Sequence, residues 1–143
     1  MEIGGVFRGA DVSASGLRAQ RVRMEVAAAN IANAETTRTP DGEPWRRQIV
    51  VLEAAAPGAA GEGGPAAPVE VAGVLSDPSP FPLVHRPGHP DADAEGYVAM
   101  PNVNLAMEMV DLATAARAYE ANLAALRTWK GMGEQALSIG GGA

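Results

Sequence analysis

A chain of 143 residues is long enough for one compact domain, or for two long helices carrying a small insert, and too short for two ordinary domains. Its residues are 47% hydrophobic, but much of that is alanine, and two Trp, two Tyr and two Phe are the only aromatics, so burial per residue stays modest unless a partner chain adds to it. The net charge of −6 comes from the middle, where residues 41–99 hold three basic and nine acidic groups, which argues against a nucleic-acid partner because such partners need clustered Lys and Arg.

The N-terminal ten residues contain one Arg and no apolar run of the length a secretory leader needs, and no stretch reaches the roughly 20 apolar residues of a membrane span. The expectation is export, if any, without a cleaved signal peptide, and no direct membrane insertion. Cysteine is absent, so no disulfide ties the chain to an oxidising compartment.

From about Asp11 to Asn33 there is no Pro and one Gly, and Leu17, Met24 and Ile31 recur every seven residues with Ala10, Ala14 and Ala28 between them. Steps of three and four predict a helix with a narrow apolar seam. Asp11 or Ser13 is its expected N-cap, and Asn33 its expected end, because Asn tolerates the left-handed conformation.

Trp45–Leu52 and Val69–Leu75, rich in Val and Ile, read as short strands of a hairpin. The link 54–68 is almost wholly Ala, Gly and Pro and is read as a flexible loop. Five prolines between Pro78 and Pro90 predict an extended, turn-rich run without regular structure over Asp77–Asp91.

The second helix is expected to start near Pro101, Asn102 or Asn104 and to stop at the glycines from Gly140. Leu105, Met109, Leu112, Ala116, Tyr119, Leu123 and Leu126 alternate in steps of four and three, and the pattern runs on through Lys130 and Gly133 to Leu137. At 1.5 Å per residue this is a rod of roughly 50 Å. A seam sustained this long predicts a coiled coil. The expected fold is therefore mainly α: N- and C-terminal helices in an antiparallel coiled-coil-like pair around a β-hairpin and loop insert, with boundaries at 1–36, 37–99 and 100–143.

His85, His89, Asp91 and Asp93 are four metal-ligand types within one short run, but Pro87, Gly88 and Pro90 hold them apart, and the run reads first as a solvated loop. No nucleophile elbow and no phosphate-binding Gly-rich loop is present. The chain is expected to be no enzyme and to need no cofactor. The alternatives are a small metal-dependent enzyme built on those four residues, or a secreted coiled-coil effector.

Ala29-Asn30-Ile31-Ala32-Asn33-Ala34-Glu35-Thr36 resembles the Asn-x-x-Asn-x-x-Thr motif of the flagellar rod and hook protein family. Pro87–Val98, then Met100-Pro101-Asn102-Val103-Asn104, Glu108-Met109-Val110 and Ala116–Asn122, are similar to its proximal-rod members, as are Gly42-x-Pro44-Trp45-Arg46-Arg47 and Gly73–Pro78. The resemblance implies a structural subunit that is exported through the flagellar type III apparatus and polymerises in the basal-body rod across the periplasm. There it carries torque and forms part of the export channel wall. Implied partners are itself, other rod subunits, the inner-membrane ring or rod adaptor, and the export apparatus. The expected assembly interface is Leu17, Met24, Asn30, Ile31 and Asn33 on the first helix and Leu112, Tyr119, Asn122, Leu123 and Leu126 on the second. Asn30 and Asn33 are alternatively simple helix caps.

Overall fold

The computed structural model describes residues 3–55 and 67–140; residues 56–66 of the expected flexible link lie outside them. Two helices, α1 (Ile3–Ala32) and α2 (Leu105–Gly140), enclose four strands in sequence, β1 (Gln48–Ala54), β2 (Val69–Ser76), β3 (Leu83–His85) and β4 (Tyr97–Ala99). The chain divides into two compact units. One consists of Met1–Val22, Leu52–Ala72 and Thr114–Ala143, and the other of Arg23–Val51 and Gly73–Ala113.

Among the described residues of the first unit the buried ones are small: Ser13, Ser15, Ala19, Ala55 and Ala115. Small side chains let helices approach closely. A Cβ on Gly9 would stand 2.4 Å from two ring carbons of Trp129, and one on Gly16 would stand 2.8 Å from Asn122 Oδ1. The Ser15 hydroxyl donates to the Val12 carbonyl and accepts the Val69 N–H at 3.0 Å, so the serine side chain that caps nothing in its own helix holds the start of β2. At this end of the ribbon the Ala55 N–H donates to the Pro68 carbonyl at 2.8 Å.

In the second unit the core is Ala27, Val98 and Met100, with Asn30 and Glu108 buried among them. The Asp77 N–H donates to the Arg47 carbonyl at 2.8 Å, which with the Ala55 bond makes β1 and β2 an antiparallel pair, as the hairpin reading expects. β3 and β4 form a second antiparallel ladder, Leu83 opposite Ala99 and His85 opposite Tyr97. The turn between them is built by Asp93, whose carboxylate accepts the Glu95 and Tyr97 N–H groups. It is completed by Gly96 at φ +82°, where a Cβ would press on Pro87 and His85, a backbone conformation that favours glycine.

Four expectations are corrected. α1 begins at Ile3, so neither Asp11 nor Ser13 caps it; helical bonding carries through the polar residues that looked like a start. No non-glycine residue has positive φ among the described residues. Asn33 therefore ends α1 by its side chain instead, donating to the Ala29 carbonyl and accepting the Thr36 hydroxyl. The Pro-rich run contains β3, which falls between Pro82 and Pro87, where no ladder N–H is missing. The fourth concerns the α2 seam. Leu105 and Met109 are exposed, and the inward line runs through Glu108, Leu112, Ala115, Tyr119, Asn122, Leu126 and Trp129. Alternate members of the expected stripe are thus one position out of phase. Asn104 does start α2, its side chain accepting the Met107 N–H.

Gly9→Ala is expected to cost about 1–3 kcal/mol, the range for an overpacked contact, and to shift the Trp129 indole N–H resonance. Gly73→Ala, with nothing within reach of its Cβ, is expected to leave thermal unfolding unchanged within error.

Candidate functional site

Glu108 is the fourth residue of α2, a place where a carboxylate meets the positive end of the helix dipole in most proteins. Here it is 2% exposed. An ionised group so placed is stable only if paired and fully hydrogen-bonded. Arg47 Nε donates to Glu108 Oε1 at 2.6 Å and Asn30 Nδ2 to Oε2 at 3.0 Å. Arg47 also reaches Asp77 at 3.5 Å and Asp111 at 3.6 Å. The Glu108 hydrogen bond raises the Arg47 pKa above its ordinary value, burial opposes that, and Asp77 adds to it.

Asn30 is completely buried and every polar atom of its amide is used. Its Nδ2 donates to the Gln48 carbonyl as well as to Glu108, and its Oδ1 accepts the Gln48 N–H and the Trp45 indole N–H. Asn102 does the same work one turn before α2, accepting the Arg47 N–H at 2.7 Å and donating to the Asp77 and Ser79 carbonyls. Arg46 reaches the same two carbonyls and lies 4.2 Å over the Phe81 ring. The end of α1, the first strand and the start of α2 are therefore held by one polar cluster in which, among the described residues, no buried side-chain polar atom lacks a partner. Beside it a cleft of about 140 Å³ is lined by Arg23, Ala27, Ile49 and Asp111, among others.

The four metal-ligand types are not brought together. His85 meets Tyr97 edge-on at 5.0 Å, and His89 Nδ1 accepts the Asp91 N–H. Asp91 takes the Thr37 hydroxyl at 2.7 Å and pairs with Arg38, while Asp93 builds its turn. No group of three or more such residues converges among those described.

Of the expected interface residues, Asn30 and Asn33 are spent on contacts inside the chain. Leu17, Met24, Ile31, Leu112, Tyr119, Asn122, Leu123 and Leu126 are all half-buried. Asn122 faces Gly16 and donates to the Ala118 carbonyl, so it lies on the inward line and not beside it. Sequence reasoning missed Arg47, Asp77, Asn102 and Glu108 as a cluster. The one available signal was a Glu standing four residues before Leu112, on the line that becomes the buried one.

Two family descriptions match. "Flagella basal body rod protein" covers residues 11–38 and "Flagellar basal body rod FlgEFG protein C-terminal" residues 94–139. The flagellar basal-body rod protein FlgC of Escherichia coli is 47% identical over 91% of this chain and 94% of its own. Those of Bacillus subtilis and Borreliella burgdorferi are 44% and 42% identical over 94% of this chain and 97% of theirs. The chain belongs to the FlgC family of flagellar basal-body rod proteins. Asn30 falls in the first matched stretch and Glu108 in the second, so the buried bond between them ties the two family-matching ends together. Arg47 and Asp77, which complete the cluster, come from the residues between.

Glu108→Ala removes the acceptor of Arg47 Nε and of one of the two Asn30 Nδ2 hydrogen bonds and is expected to cost about 3–5 kcal/mol, against less than about 0.5 kcal/mol for exposed Glu120→Ala, read from urea unfolding. Acid should act on the periphery of the cluster. The Thr37 hydroxyl, then Arg38, hold the Asp91 pKa below the ordinary carboxylate value, and the Ser79 hydrogen bonds do the same for Asp77. A carboxyl with a depressed folded pKa gives stability that is present above its unfolded pKa and disappears as pH falls through the folded one. Unfolding scans between neutral pH and the acid range should therefore show stability falling below about pH 4, with a shallower fall in Asp91→Asn.

Proposed function

We propose that this protein is a structural subunit of the bacterial flagellar basal-body rod, not an enzyme, and that it polymerises through its two terminal helices. The observation that carries the reading is the 42–47% identity to rod proteins over nearly the whole chain, with the two family-matching ends meeting at Asn30 and Glu108. The helices pair as an antiparallel coiled coil in the assembled rod, a reading supported by the contacts of Gly9 with Trp129 and of Asn30 with Glu108. In that role the subunit belongs to the proximal rod, carries torque outward and walls part of the export channel. Its partners are further copies of itself, other rod subunits, the inner-membrane ring or rod adaptor and the export apparatus. It reaches the rod by type III export. No described helix is long and apolar enough to cross a membrane.

The half-buried side of α2 is then partly core and partly contact between subunits. Deleting the gene should abolish flagella, and the unmutated gene should restore them. Leu126→Asp should fail to restore swimming, and electron microscopy should show basal bodies without rods, because a carboxylate on the inward line must be desolvated or force the helices apart. Purified basal bodies that contain no copy of this chain, or full motility in the deletion strain, would overturn the reading.

A further inference from the structure

The first turns of α2 are inside out. Their inward side carries Glu108 and Asp111, both reached by Arg47. Their outward side carries Leu105, Met107, Met109 and Val110, between 44% and 62% exposed, with exposed Ala106 and Ala113 among them and no charge. At 100° per residue these six cover a continuous arc more than half the way round the helix. An apolar arc of that width on a helix surface marks a contact still to be made. The far end of the same helix is also uncovered. Met132 and Ile139, seven residues apart and so on one line, are 50% and 82% exposed, and no basic residue stands in the last turn to meet the terminal carbonyls.

We propose that these two surfaces are the halves of one contact, in which the C-terminal end of α2 from one copy of this chain seats on the apolar arc at the start of α2 in the next copy. The inference rests on the rod-subunit reading and names the copy-to-copy contact within it. One helix carries both halves at its opposite ends, so joining them takes two molecules. Because the halves differ, the contact is head-to-tail and propagates along a polymer, where a self-matching patch would close into a dimer. Charge favours the same arrangement. The partial negative charge of the exposed C-terminal carbonyls meets the partial positive charge of a helix N-terminus. There the first-turn acid, Glu108, is already neutralised by Arg47 and bonded by Asn30. Methionine on both halves gives flexible, polarizable surface that fits an irregular partner.

The absence of cysteine makes the contact directly readable. Met109→Cys and Ile139→Cys chains, carrying different tags, are expressed together in cells that lack the native gene, and isolated basal bodies are mildly oxidised. The expected product is the mixed-tag disulfide, dominating over both same-tag products and over the product of Glu120→Cys with Ile139→Cys. Leu105→Cys with Met132→Cys reads the same contact should the first pair fail to assemble. Basal bodies that contain the chain but yield no excess of either mixed pair overturn the proposal and leave the rod reading standing. Basal bodies without the chain end both.

Discussion

The hydrogen-bonded ion pair of Arg47 and Glu108 is the constraint on which the second unit depends. A carboxylate at 2% exposure has no water to fall back on. Every group that faces it must therefore be in place at once: the guanidinium from β1's approach, the Asn30 amide from α1, and Asn102 holding the Arg47 backbone. Such a cluster adds little net stability over a well-packed apolar core, but breaking it is costly. What it supplies is alignment. Asn30 has partners on Trp45, Gln48 and Glu108; a slip of one residue in α1 would move its buried amide off all three, and a slip in α2 would break its bond to Glu108.

That alignment explains the surface as well as the interior. With the polar residues of early α2 turned inward, its aliphatic residues have only the outside left to occupy. An ordinary soluble helix would reverse the arrangement. The family-matching ends and the buried cluster are thus one arrangement: a polar anchor fixes the helix, and its apolar side chains are held at fixed positions on the outer side.

The broad plan was legible in the sequence. The seven-residue recurrence of Leu17, Met24 and Ile31 located the first helix, Pro101, Asn102 and Asn104 bracketed the start of the second, where Asn104 is the one that begins it, and the β-branched runs gave the hairpin. The phase of the seam was not legible, because counting apolar residues assumes that the larger ones face inward. In α1 the buried line is made of Ser13, Ala19, Ala27 and Asn30, small or polar groups that apolar counting passes over. In α2 it includes Glu108, whose burial depends on an arginine 61 residues away. The start of α1 and strand β3 were hidden for a related reason. Polar residues and prolines are local signals, and tertiary packing overrode them.

Neither unit is a continuous stretch of chain: the first is gathered from three segments and the second from two. The order of synthesis acquires a meaning from this. A chain growing from its N-terminus has made α1, all four strands and most of its length before Glu108 exists, and until then Arg47 and Asn30 remain hydrated and the ends of the insert unanchored. Closing contacts over such sequence separations carries a loop entropy that is repaid only at the last step. Both units therefore wait for α2: neither can close while its share of that helix is still to be made, and until then the nascent polypeptide stays open.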